Sequence, residues 1–570
     1  MKLAIDSIKT LQTPSGVSVQ GWMLQMLKYA AYMLAVALVG GIFRFYMRRL
    51  LIGVSRKIEY SIRADLFSHI QKLDSSFFVS NRTGSIMALV TNDLDAVRNF
   101  LGPGLLNLFN TIFVFIATLI VMFFIDVKLT LYSLIAIPLL PVVVSRLSAL
   151  LHKRFKISQE HYALLSARTQ ENIAGIKVVK SFAQEENETA VFSGLNMEYI
   201  KKNMSLAMVR SIFWPIMIFV GGIGSLLVLW VGGRQVIFNQ LTLGQFVQFS
   251  SYIIAITWPL ISLGWVINLI QRGEVSMGRL NVIFSTLPLI KTIEPAGLSL
   301  KKIKKITDEK GRIKGDIVFK NVYFRFQEER KEWVLKNINL EIKEQSKVGI
   351  VGFTGSGKTA MVNLIPRLYD PQKGGISIGG ACLKEVPIEL LRSSIGYVTQ
   401  DAFIFSKTVK ENIVFGKEQY FESEGLSEKE IDEIVIRASK AAHLHEDVLD
   451  FPEGYDTLVG ERGIMISGGQ KQRLAIARAL ITMPSVLILD DSFSNVDTRT
   501  EELIQRDLLK FTEKITTIII SHRISTIKHS ELIAVIDEGE IKETGNHREL
   551  IKRCSLYQKL YARQQLAEEA

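Results

Sequence analysis

Residues 466–497 read ISGGQKQRLAIARALITMPSVLILDDSFSNVD. Ser467, Gly468, Gly469 and Gln470 open a helical run, so a hydroxyl and successive backbone N–H groups lie at its positive end, where phosphate is favoured. After that helix comes a short apolar strand, Val486–Leu489, which ends in the paired carboxylates Asp490 and Asp491. A phosphate-binding turn followed by a buried strand that delivers carboxylates predicts a nucleotide-handling α/β domain.

Upstream, the strand Lys347–Val351 runs into Gly352–Phe353–Thr354–Gly355–Ser356–Gly357–Lys358–Thr359, a G-x-x-x-x-G-K-T loop between a strand and a helix. The glycines let backbone N–H groups converge on phosphate oxygens. Lys358 is placed to reach the β- and γ-phosphates, and the Thr359 hydroxyl to ligate Mg²⁺. A nucleotide with Mg²⁺ is therefore the expected ligand.

The N-terminal half has another chemistry. In this 570-residue chain, 48% of residues are hydrophobic, and the apolar ones concentrate before residue 275. Five runs, about 23–46, 101–125, 129–150, 211–233 and 244–270, are near or above the roughly 20 residues that a spanning helix needs. The formal charge is +12. Its placement separates a membrane surface from a nucleic acid: Arg44, Arg48, Arg49, Arg56, Lys57 and Arg63 follow one run, and Lys153, Arg154 and Lys156 another. That pattern marks the cytosolic side and argues against a nucleic-acid partner. Cys382 and Cys554 are the two cysteines, so no disulfide framework is expected.

Loops predicted on the cytosolic side are long (47–100 and 151–210), and outer ones are short (126–128 and 234–242). Runs 101–125, 211–233 and 244–270 carry no Asp, Glu, Lys, Arg or His, which disfavours ion coupling. Phe109, Phe113, Phe115, Phe213, Trp214, Phe219, Trp258 and Trp265 line these runs. Together they would suit a drug- or lipid-like substrate. For any single ring, a lipid-facing or packing role is the simpler reading.

Taken together, these motifs resemble an ABC exporter half-transporter, with a polytopic α-helical membrane domain followed by an α/β P-loop nucleotide-binding domain. Leu73–Val97 and Glu171–Glu186 are similar to that family's first and second intracellular loops. The resemblance implies that Phe326, in VYFRF, stacks on adenine. It makes Gln400, in YVTQD, the loop glutamine at Mg²⁺, with Thr359 and Asp490 as the other metal ligands. His522, in ISHRIS, becomes the switch histidine at the γ-phosphate, acting with Lys358 and Asp491. Thr457–Gly463 resembles the segment before the signature, and Ser494–Asp497 the dimer-contacting loop. In this family Ser467–Gln470 serves the nucleotide held by the opposite subunit.

One residue departs from the family. Where Glu normally follows the strand aspartate, this chain has Asp491, one methylene shorter, which sets the carboxylate back by roughly 1.5 Å. An Asp there, beside an intact signature, is the form seen in the slow half of heterodimeric bacterial exporters. The expectation is a multi-pass protein of the cytoplasmic membrane that pairs with a different, Glu-bearing half and exports a hydrophobic or amphiphilic compound. A homodimeric exporter or lipid flippase, and an ATP-gated regulatory or channel subunit, are the alternatives.

The expected layout has an outer segment at 1–22, a membrane domain at 23–290, a linker at 291–315 and the nucleotide-binding domain at 316–570. Five spans would leave Met1 outside the cell. Residues 1–8 therefore read as the outer tail of an absent first helix, or as a re-entrant N-terminus.

Overall fold

The computed structural model describes residues 5–6, 19–135, 139–290, 300–326, 332–460, 464–494, 498–511 and 514–569. The chain divides into two compact units, Met1–Gln71 with Thr83–Thr286, and Lys72–Arg82 with Leu287–Ala570.

The first unit is helical. Among the described residues, four helices are long and apolar enough to cross a membrane: Met23–Lys72, Thr83–Ile125, Glu185–Ile237 and Leu243–Ser285. Each contains one of the apolar runs read from sequence. The remaining run, 129–150, falls on helices Val127–Leu134 and Leu139–Ala174. Residues 136–138 between them, Pro138 included, lie outside the described residues. Pro215 and Pro259 sit inside continuous helices.

Met122, Leu129, Met217, Val228, Phe249 and Ile256 form the buried centre of this unit. Apolar packing alone gives helices little reason to associate in lipid, so polar pins and small residues matter more. Glu188 joins two long helices by accepting from Arg168 Nη2 and Asn172 Nδ2 at 2.7 and 2.9 Å. Asp93 accepts from Ser276 Oγ at 2.7 Å and from Arg279 Nη2 at 2.5 Å. Thr242 caps the helix Leu243–Ser285. Asp6 reinforces that cap, accepting from Thr242 Oγ1 at 3.0 Å and from Gly244 N at 2.8 Å. Of the outer segment, 1–4 and 7–18 lie outside the described residues.

The aromatic residues proposed to line the spans divide between two environments. Phe115 and Phe213 pack against the helical core. Phe109, Phe113, Trp214, Phe219 and Trp265 are at least half exposed, as lipid-facing side chains would be. The Trp258 side chain lies outside the described residues.

The second unit holds two sheets. One is antiparallel, in the order β2 (Leu335–Ile342), β1 (Ile317–Phe324), β4 (Lys373–Ile378), β5 (Ala381–Cys382). Strand β1 is continuous across a register shift between Phe319 and Val322, where Asn321 has φ +48°. The other sheet runs β10 (Glu540–Gly545), β9 (Leu532–Asp537), β3 (Lys347–Val351), β8 (Thr516–Ile520), β7 (Val486–Asp490), β6 (Ile395–Val398).

In this sheet β9, β3, β8, β7 and β6 are parallel. Strands β3, β7 and β8 are almost wholly buried, which is why their sequences are continuous apolar runs. Of the expected linker, 291–299 lie outside the described residues, and Leu300–Ile306 is helical.

Candidate nucleotide site

In an open parallel sheet, ligands bind beyond the carboxyl ends of the strands. The order β3–β8–β7–β6 brings four such ends together. They carry the glycine loop (after β3), His522 (after β8), Asp490 and Asp491 (at the end of β7) and Gln400 (after β6). These segments, with Phe326, Thr354, Gly355, Gly357, Lys358 and Thr359, line one cavity of about 250 Å³.

The loop geometry needs its glycines. A Cβ on Gly352 would stand 2.0 Å from the Ile536 carbonyl oxygen. Gly357 caps the following helix, Lys358–Asn363, with φ +102°, a conformation costly for any L side chain. Lys358 is buried, and its Nζ donates to the Gly352 and Phe353 carbonyls at 2.9 and 2.8 Å. Burial lowers its pKa below the ordinary lysine value, against the pull of Asp491 and Asp490.

Asp490 is 1% exposed. Thr359 Oγ1 donates to its Oδ1 at 3.2 Å, while Oδ2 is buried without a partner. Burial raises the Asp490 pKa to about 6, aided by Asp491 and opposed by Thr359 and Lys358. An orphaned carboxylate oxygen beside a threonine hydroxyl, with the Gln400 amide on the same cavity, is a donor set of the hard-oxygen kind that Mg²⁺ takes. The residues fit that ion. Ser356 Oγ, in the phosphate loop, is likewise buried and unpartnered, as a group waiting for an anion would be.

Asp491 has φ +47°, a left-handed conformation that Asp tolerates better than most residues. Its N–H donates to the Ile520 carbonyl at 3.0 Å, tying β7 to β8. Its Oδ2 lies 3.8 Å from His522 Nε2. Burial, then the Lys358 charge, lowers the His522 pKa below the ordinary histidine value, against the opposing charge of Asp491. Phe326 meets Tyr369 edge-on, with centroids 5.3 Å apart, and is 40% exposed, so a ring face remains for a planar base.

Ser467, Gly468, Gly469 and Gln470 do not line this cavity. They open the helix Gly468–Leu480, where Ser467 and Gln470 satisfy one another in a capping box. Ser467 and Gly468 are exposed, and Met465 beside them is 86% exposed. Residues 461–463, of the segment before the signature, and 495–497, of the expected dimer-contacting loop, lie outside the described residues.

The structure adds residues that sequence motifs missed. Tyr397 Oη donates to Asn363 Oδ1 at 2.7 Å, and burial raises its pKa. Glu501, Arg523 and Gln564 surround the loop carrying His522. The one sequence signal for Glu501 is a carboxylate on an amphipathic helix, which by itself reads as a solvated face.

Residues 2–260 match the family description "ABC transporter transmembrane region", and residues 335–494 match "ABC transporter". The chain is 36% identical, over 529 residues, to the probable multidrug resistance ABC transporter ATP-binding/permease protein YheI of Bacillus subtilis. That match spans 92% of this chain and 86% of that protein. It is 34% identical, over 538 residues, to an ATP-dependent lipid A-core flippase of Syntrophus aciditrophicus, with 94% and 86% covered. A solved bacterial Atm1-family ABC exporter with ATP bound superposes with a TM-score of 0.79 at 25% identity, covering 99% of this chain and 95% of that one.

Proposed function

This chain belongs to the ABC transporter family as an exporter with fused transmembrane and nucleotide-binding domains, and on that premise we propose that it is one half of a heterodimer whose own ATP site turns over slowly. It is a multi-pass protein of the cytoplasmic membrane, and its ATP-binding domain faces the cytosol. The observation that carries the heterodimer reading is the pairing of Asp491, in the family's glutamate position, with an intact signature.

In this reading, the chain's own P-loop holds one ATP and its ISGGQ serves a second, on the partner. Several exposed groups support a second subunit. Ser467, Gly468 and Met465 are exposed in this chain. In the second intracellular loop, Val178 and Phe182 are 61% and 70% exposed on and after the short helix Ile176–Ser181. Apolar side chains at a cytosolic tip favour a protein partner over water.

The chemistry is in-line attack of water on the γ-phosphate. Thr359, Gln400 and Asp490 would hold Mg²⁺, which when bound neutralises charge on the β- and γ-phosphates. Lys358 leaves the loop carbonyls to reach the phosphates, and Phe326 offers its face to adenine. The His522 imidazole hydrogen-bonds the γ-phosphate. Asp491 orients water with a carboxylate held short, and proton acceptance requires a reach of about 2.6–3.2 Å.

The cargo is a hydrophobic or amphiphilic compound. The uncharged spans support this, as does the likeness to proteins described as a multidrug resistance transporter and a lipid A-core flippase. Affinity purification from native membranes tests the pairing. The expected result is equal amounts of this chain and a second half-transporter with Glu after its strand aspartate. A stable, active particle made of this chain alone would establish the homodimeric alternative.

A further inference from the structure

His522 faces the cavity from an irregular loop. Its side chain is 41% exposed, so the direction of the imidazole follows from the backbone of Ser521–Ile524. Loop backbone groups must be paired with something, and here one side chain from a distant element pairs two of them. Gln564, on the C-terminal helix Ser555–Glu569, accepts from Ile524 N at 2.6 Å. The same amide donates, through Nε2, to the His522 carbonyl. One side chain thus brackets the histidine from both ends of its turn.

The helix that carries Gln564 is firmly seated. Cys554, Tyr557 and Leu560 are buried against Ile524, Ile527, Ile533 and Val535. The Tyr557 hydroxyl is 2.8 Å from His547 Nδ1. On the opposite side of the loop, Glu501 is 3% exposed and accepts from Arg523 Nη1 at 2.5 Å, from Thr526 Oγ1 and from Gln505 Nε2. Arg523 is therefore pinned from the helix Thr498–Phe511, and His522 from the C-terminal helix.

We propose that Gln564 is a positioning residue for hydrolysis, setting the reach of His522 toward the γ-phosphate and placing this chain's ATP turnover under the control of its C-terminal helix. The proposal rests on the reading of His522 as the residue at that phosphate. A Gln564→Ala chain loses the acceptor for Ile524 N and the donor for the His522 carbonyl, so the turn can relax away from the cavity. A misplacement of about 1 Å can cost up to about 100-fold in rate. The helix stays seated through its apolar face, and the phosphate loop is untouched, so nucleotide binding is retained.

The test uses the full-length transporter in lipid nanodiscs loaded with α-labelled 8-azido-ATP. The conversion of ATP to ADP is followed on this chain's photolabelled band. Gln564→Ala is expected to slow conversion about tenfold, with saturating label within about twofold of the parent. His522→Ala is expected to slow it at least as much, and the double variant to match His522→Ala alone. Gln564→Glu, which keeps the acceptor for Ile524 N and loses the donor, is expected to fall between parent and Gln564→Ala, and it guards against a folding defect in the alanine variant. An unchanged rate in both Gln564 variants, or a double variant slower than His522→Ala by a further tenfold, overturns the proposal. If His522→Ala itself converts ATP at the parental rate, the reading of His522 falls, and this inference falls with it. A loss confined to Gln564 variants that no longer bind label assigns the residue to folding instead.

Discussion

The two elements of the second unit proposed to meet phosphate are built in opposite ways. The P-loop and the end of β7 form an enclosed half-site: Lys358 and Asp490 are buried, Gly352 lies too close to Ile536 for a Cβ, and two polar atoms, Ser356 Oγ and Asp490 Oδ2, have no protein partner. The signature turn is open: Ser467 and Gly468 are exposed, Ser467 and Gln470 cap one another, and none of the four signature residues lines the cavity. On the proposed reading, one element is organised around a ligand held by its own chain. The other is complete only as a surface. The family's departure, Asp491, falls in the enclosed element and leaves the exposed one intact.

Removing the charge from the enclosed half should have the greatest consequence. Lys358→Ala should weaken ATP binding to this chain by about 100-fold, the scale of deleting a buried charged donor. Photolabelling of the separated bands checks this, and the partner's band should still label. Loss of label from both bands would mean that the halves do not hold separate nucleotides.

Protonation makes a smaller and graded change. A metal ligand must be deprotonated, and Asp490 titrates at about 6, pushed up mainly by burial. Below that pH the protonated form dominates and competes with Mg²⁺. Affinity for Mg²⁺-nucleotide on this chain should therefore fall about tenfold per pH unit below 6 and level off above it. Titrations with a non-hydrolysable nucleotide between pH 5 and 7.5 measure this. Asp490→Asn should bind weakly and show no such slope in that range.

Asp491→Glu gives the smallest expected effect. Restoring the methylene should raise ATP conversion on this chain's own band by about tenfold, less than the roughly 100-fold or more of a full general base. The reason lies in the backbone: residue 491 sits at φ +47°. A left-handed conformation costs about 1–2 kcal/mol for an ordinary L residue, and glutamate lacks the local hydrogen bonding that eases it for aspartate.

Much of this was legible in the sequence, for identifiable reasons. Strands β3, β7 and β8 are buried on both faces, so their apolar runs have sharp ends at Gly352, Asp490 and Ser521. Helices that meet lipid need length and apolarity above all, which is why four of the five runs lie within single long helices. The β1 register shift was not legible, since it depends on a positive φ at Asn321 and on partners in β2. Glu501, Tyr397 and Gln564 were equally hidden. Gln564 lies 42 residues from the carbonyl it holds, and only the folded chain brings them together.

In the proposed heterodimer, this chain's carboxylate matters little to turnover while its signature matters greatly. Steady-state ATPase of the purified native complex, measured side by side for Asp491→Ala and Gly469→Asp, tests this asymmetry most directly. Asp491→Ala is expected within about twofold of the parent and Gly469→Asp lower by about 100-fold, the scale of removing donors aimed at a transition-state charge. An Asp491→Ala complex as inactive as the Gly469→Asp one would contradict it.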